Sequence, residues 1–134
     1  MAIIIDADVI IRGERGTFDL KGWLQANSQE RFELAAITIA ELWHGVERAT
    51  GMIRARREKY LQSIVSPLTI IPYTEEIAYE HARIWAYMES GGKMIGDYDL
   101  IIAATALARG SAVATFNQKH FSSVAGLKVI EPGK

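Results

Sequence analysis

The stretch AIIID, residues 2–6 of the opening MAIIIDADVII, sets four apolar residues directly before an aspartate. An apolar run without alternation marks a strand covered on both faces, the pattern of a parallel sheet. A carboxylate closing such a run is costly unless a cation or a hydrogen-bond donor meets it. Working outward, FELAAI (32–37), LTIIP (68–72), SAVAT (111–115) and LKVIE (127–131) read as four further strands. Helical periodicity fills the intervals. Phe18, Leu20, Trp23 and Leu24 line a helix over 18–28, and Ile39, Leu42, Trp43 and Val46 line one over 39–49. A helix over 52–65 buries Ile53, Tyr60, Leu61 and Ile64 before Pro67. The next is capped by Thr74, carries a stripe of Ile77, His81, Ile84, Trp85 and Met88, and ends at Gly91 and Gly92. MIGDYDLIIAATALARG (94–110) supplies the last helix. Strands alternating with helices predict an α/β layered fold, with a mainly parallel sheet of roughly five strands flanked by helices.

At 134 residues the chain reads as one domain, 1–134, with no repeat and no linker. A net charge of −1 gives no global attraction to nucleic acid or membrane, so any such attraction is local. The absence of cysteine excludes disulfides, thiolate metal sites and thiol nucleophiles. The apolar start is short, has no basic region and carries acids in its middle. It therefore reads as neither a signal peptide nor a membrane span, and a cytoplasmic location is expected.

In open α/β sheets, ligands bind beyond the carboxyl ends of the strands. Three acidic segments map to that edge: Asp6 and Asp8 after the first strand, Glu41 near the start of the helix after the second, and Asp97 and Asp99 opening the helix that feeds the fourth. Each acid has a local explanation. Thr38-Ile39-Ala40-Glu41 spells a capping box, Asp97 an N-cap, Asp99 a first-turn acid that complements the helix dipole, and Asp8 a turn residue. These explanations do not account for all five acids collecting at one edge. Like charges a few ångströms apart cost about 1 kcal/mol or more per pair, so a cation or protons must join them. With no cysteine and three histidines, the donors on offer are hard oxygens, which suit Mg²⁺ or Mn²⁺ better than Zn²⁺.

The segments IIIDADVII, ITIAELWHGVERA and IGDYDLIIAATALARGSAVATFNQKHF together resemble the PIN-domain ribonucleases, and within them the VapC toxins of toxin–antitoxin pairs. The likeness runs from the first strand to Phe121. It implies a PIN-like three-layer fold and an endoribonuclease that cuts RNA with metal-activated water, transfer RNA being a common target class. It also implies a VapB-like antitoxin partner and a homodimer. The family's acidic positions fall on Asp6, Glu41 and Asp99 as metal ligands and on Asn117 as the fourth catalytic position. Asn117 is an amide where relatives carry either amide or acid. Thr115 is expected to help hold the site, and Asp8 and Asp97 to make supporting contacts around it. Within that pattern Asp97 caps its helix and Asp99, two residues on, is offered to the metal.

RNA approaching acids needs cations nearby, and Arg48, Arg54, Arg56, Arg57 and Lys59 form the densest basic cluster. Arg48 and Arg56 are candidate contacts to RNA or antitoxin, and Arg12 a candidate phosphate contact. Neither His44 nor His120 has a spacing that suggests metal ligation; Trp43, Trp85 and Met88 read as core or dimer contacts. Two other readings stand beside this one. A catalytically silent binding module would follow if Asn117 weakens the site. A haloacid-dehalogenase-like phosphatase would use Asp6 as nucleophile and Asp8 as acid–base. That fold normally needs a longer chain and a lysine between its motifs, and it leaves Glu41 without a role.

Overall fold

The computed structural model describes residues 1–133. The strands are β1 (Ala2–Ile5), β2 (Arg31–Ala35), β3 (Thr69–Ile71), β4 (Ala112–Ala114) and β5 (Val129–Ile130). The helices are α1 (Ala7–Arg15), α2 (Leu20–Ala26), α3 (Ala36–Arg48), α4 (Gly51–Val65), α5 (Glu75–Ser90), α6 (Asp97–Arg109) and α7 (Gln118–Ser122). The five strands form one sheet in the order β3-β2-β1-β4-β5, and every pairing is parallel. The chain builds outward from β1 to one side, then returns to place β4 on the other. The crevice between β1 and β4 is therefore the switch point where a ligand site is expected.

The pleat divides the core into two. Ile4, Ala35, Ile71 and Val113 face α5 and α6 through Ile77, Ile84, Met88, Leu100 and Ala103. Ile5 and Leu34 face the other way, toward Val9, Ile10, Leu20, Leu42, Val46, Leu61 and Ile64 of α1–α4. Each such aliphatic side chain, once buried, contributes about 1.5–3 kcal/mol, which explains why β1 tolerates no polar residue before Asp6. Glu33 breaks the apolar run of β2 at 1% exposure. It is met by Arg109 at 2.6 and 3.3 Å and by Arg31 at 3.3 Å, so its charge is paired rather than stranded.

The helix ends depart from the sequence expectations in informative ways. α1 begins at Ala7, so Asp8 lies in a helical first turn and is not a loop residue. α3 follows β2 with no intervening loop and is capped by the backbone of Ala35; Thr38 lies inside the helix, fully buried, and the capping box does not form. Glu41 is consequently in the second turn. At α6 the cap is Gly96, with no side-chain bond, and Asp97 is the first helical residue rather than the cap. Thr74 does cap α5, its hydroxyl accepting from Ile77 N at 3.3 Å. No helix among the described residues is long and apolar enough to cross a membrane.

Candidate active site

Strand register builds the centre of the site. Ile5 pairs with Ala114, and Asp6 N donates to Ala114 O at 3.0 Å, which puts Asp6 and Thr115 side by side where β1 and β4 end. Asp6 is the N-cap of α1. Its Oδ1 accepts from Ala7 N at 2.8 Å, and its Oδ2 accepts from the Thr115 hydroxyl at 2.8 Å. Only 5% exposed, this carboxylate is held in one orientation from both sides. Asp8 accepts from Phe116 N at 3.1 Å and lies 3.4 Å from the Thr115 hydroxyl. The Thr115 oxygen in turn accepts from Asn117 N at 2.9 Å, so one hydroxyl ties both aspartates to the loop after β4.

A second chain of contacts braces Asp99. His120 Nδ1 sits 3.1 Å from Asp99 Oδ2 and 2.8 Å from Asn117 Nδ2. Asn117 therefore joins the site through His120. Ligand spacing does not reveal His120, because this residue acts by touching a neighbour. No local signal marks it, because α7, which returns His120 toward α6 three residues after Asn117, is too short to leave a periodic stripe.

The acids sense one another. Asp6 is pushed from 3.8 up to about 7, first by burial and then by the charge of Asp8, with Asp99 and Glu41 adding to it; the Thr115 hydrogen bond opposes the rise. Glu41 is pushed from 4.5 up to about 7 by burial and by the charges of Asp99 and Asp8. Asp8 is also raised, burial outweighing the Phe116 amide and the Arg12 charge. Four of the five sequence-predicted acids thus converge. Asp97 does not: it is exposed and is not among the charges acting on the others. Glu41 keeps one carboxylate oxygen, Oε1, buried without a hydrogen-bond partner.

That arrangement attracts positive charge. Three helices (α1, α3 and α6) start at this edge, and their amino ends offer partial positive charge to the acids. They do not discharge the cluster, because burial and repulsion between the carboxylates still raise Asp6, Asp8 and Glu41. No three acidic or histidine side chains among the described residues are arranged, as they stand, to hold one metal ion together. Mg²⁺, however, keeps much of its water and is commonly bound through one or two carboxylates. The hard-oxygen donors, the shared charge and the unpartnered Glu41 oxygen fit such an ion.

Of the basic candidates, Arg12 is the one that acts on the acids. Arg12 stacks on the Phe116 ring at 4.3 Å and lowers the Asp8 pKa, so it belongs to the site's rim. Arg57 is held by Glu14 at 3.1 Å and by Gly45 O at 3.0 Å, and Arg54 by Glu47 at 3.2 Å. Arg48 and Arg56 are exposed, and Arg56 lines a groove of about 270 Å³ between α1 and α4 with Glu14, Ile53 and Tyr60.

Comparisons with known proteins point to one family. The family model described as the PIN domain matches residues 3–127. Ribonuclease VapC1 of Rickettsia felis is 33% identical over 131 residues, 97% of this chain and 96% of its own length. The tRNA(fMet)-specific endonuclease VapC of Salmonella typhimurium is 29% identical over 108 residues, 75% of this chain and 80% of its own length. Among solved structures, VapBC2 from Rickettsia felis bound to a DNA fragment from their promoter superposes with a TM-score of 0.91. It has 22% identity and covers 98% of this chain and 99% of that one. The phosphatase reading falls with this match, and the buried acids at the β1–β4 crevice belong to a member of the PIN-domain family, within its VapC ribonucleases.

Proposed function

We propose that this VapC ribonuclease hydrolyses RNA phosphodiester bonds at the Asp6–Glu41–Asp99 cluster with Mg²⁺ or Mn²⁺, and that it is the toxin of a pair whose VapB-like antitoxin silences it. The observation that carries the reading is the elevation of Asp6 and Glu41 to about 7 by burial and by neighbouring carboxylates, beside a buried Glu41 oxygen with no partner. Acids that resist ionising on their own are suited to gripping a cation, which lets them ionise together. A divalent ion bound there would supply charge neutralisation at the phosphate and acidify the attacking water.

The chain's own groups do the positioning. Asp6, Asp99 and Glu41 would hold the ion. Thr115 and Ala7 N fix Asp6, Phe116 N fixes Asp8, and His120 with Asn117 steadies Asp99. The amide of Asn117 contributes no charge, so the ionic load rests on the other positions. A partner's arginine entering the cluster would neutralise the same acids and compete with the ion, a direct route to inhibition. Transfer RNA is the first substrate class to try, in line with the family resemblance and the named activity of the Salmonella relative.

The test pairs two neighbouring aspartates. With RNA and Mn²⁺ or Mg²⁺, the wild-type chain is expected to cleave, chelator to stop it, and Asp99→Asn to lower the rate by about a hundredfold or more. Asp97→Asn, which lies outside the cluster, is expected to retain most activity. Full activity in Asp99→Asn with loss in Asp97→Asn would refute the assignment. RNA binding with no metal-dependent cleavage by the wild type would favour the silent-module reading that Asn117 keeps open.

A further inference from the structure

Beside the acids lies a cleft of about 510 Å³ lined by Ala40, Glu41, His44 and Tyr98. Its size is that of small-molecule sites, about 300–1,000 Å³. Glu41 belongs both to this cleft and to the acidic cluster, so the cleft opens directly onto the reaction centre. Ala40 and His44 are one helical turn apart on α3, and Tyr98 stands on the first turn of α6 between Asp97 and Asp99. Tyr98 is 54% exposed.

The two rings differ from several other exposed rings of the molecule. Tyr73 bonds His81, His81 stacks on Trp85, Tyr79 bonds Glu75 and His120 bonds Asn117. Tyr98 and His44 have neither a hydrogen-bond nor a ring partner among the described residues. An exposed tyrosine costs apolar hydration without compensation from packing, and a flat ring facing an open cleft next to a phosphate-cleaving centre is the platform on which bases stack.

We infer that this cleft is a subsite for one unpaired nucleobase flanking the scissile phosphate, held between Tyr98 and His44. The inference rests on the ribonuclease reading and adds the residues of this chain that seat a base. A base can enter only if it is unstacked, so loops and single-stranded ends are admitted and continuous duplex is not.

The experiment measures cleavage of a hairpin RNA, cut in its loop, against the same sequence closed into a duplex, in Mn²⁺. Tyr98→Ala is expected to raise KM about tenfold, from the loss of one stacked base, with a much smaller change in kcat. Tyr98→Phe, which keeps the ring, is expected to restore KM, and His44→Ala to raise it in the same sense. A loop base replaced by 2-aminopurine is expected to change its fluorescence on binding wild type and Tyr98→Phe but not Tyr98→Ala. Unchanged KM in both alanine variants, or equal cleavage of loop and duplex, overturns the inference. So does a change in sedimentation with KM untouched, because the cleft would then seat a second copy of the chain. If wild type cleaves nothing yet the Tyr98-dependent 2-aminopurine signal persists, the ribonuclease reading fails and the subsite stands.

Discussion

Asp6 concentrates the conflict between stability and function in one side chain. It is bonded through both oxygens and still pushed up to about 7, first by its burial and then by the three other carboxylates that face it. Glu41 is raised as far but has an oxygen with no donor at all, so it is the acid whose neutralisation relieves most and disturbs least. In protein stripped of divalent ions, Glu41→Gln is expected to raise stability at alkaline pH by about 1–3 kcal/mol while abolishing metal-dependent cleavage. The pH dependence has a definite sign. Unfolded, these acids ionise near 4; folded, Asp6 and Glu41 keep protons to about 7. Between those values the native state binds more protons, so the contribution is full below the unfolded pKa and is lost as pH rises through about 7. Stripped wild type should therefore melt several degrees higher near pH 5 than near pH 8 as far as these groups are concerned. Added Mn²⁺ should raise the melting temperature more near pH 8, where protons no longer compete for the acids. A thermal melt series with chelator and with Mn²⁺, on wild type and Glu41→Gln, reads all of this. Metal stabilisation larger at the acid end would contradict the account.

At the scale of elements, the site depends on where helices start and on how closely they pack. The strands and most helices could be read from periodicity, because burial on one or both faces leaves a pattern that the sequence carries directly. Two helices could not. α1 was hidden by Gly13 and by the acids of DADVIIRGER, and α7 is too short for a periodic stripe. The capping expectations at Thr38 and Asp97 failed for a common reason. A cap is chosen by where the tertiary fold starts the helix, and both α3, which runs on directly from β2, and α6, which follows the loop after α5, begin one or more residues earlier than their polar signals suggest. The acids Asp6, Glu41 and Asp99 were legible from position on the sheet edge and from family pattern, whereas the Asp8–Phe116 and Asp99–His120 contacts depend on tertiary geometry that no local signal records. Gly13 shows how tight that geometry is. A β-carbon there would meet the Tyr60 hydroxyl at 2.5 Å and Leu20 Cβ at 2.8 Å, wedging α1 away from α2 and α4. Alanine improves intrinsic helix propensity by about 1 kcal/mol, but overpacking of this kind costs about 1–3 kcal/mol. Gly13→Ala is expected to be net destabilising in urea unfolding. Adding Tyr60→Phe should recover only part of the loss, since Leu20 remains in the way. A more stable Gly13→Ala would mean that α1 can shift freely, and with it Asp6.

The whole molecule leaves one face unfinished. Ala36, Ile37 and Ala40 of α3, Tyr73 before α5 and Ile101 of α6 line an apolar hollow of about 350 Å³. Around it, Ile70, Tyr73 and Trp85 are exposed. Contiguous apolar surface of this kind on a small domain marks an association site rather than solvated surface. We propose that its partner is a second copy of the chain, the homodimer that the family resemblance implies, with a two-fold axis through the hollow setting the same rings of each copy against the other. The hollow shares α3 and α6 with the acids, so pairing there would also stiffen the helices that carry Glu41 and Asp99. We therefore expect the chain to sediment as a dimer, and Tyr73→Glu combined with Trp85→Glu to shift it to monomer without unfolding it, since both side chains are exposed. The monomer should keep the raised pKa of Asp6, whose contacts all lie within one copy, but bind RNA more weakly if long substrates span both sites. Sedimentation velocity of wild type and the double variant decides the point. A variant that stays dimeric places the dimer elsewhere, and a monomeric wild type assigns the hollow to another partner.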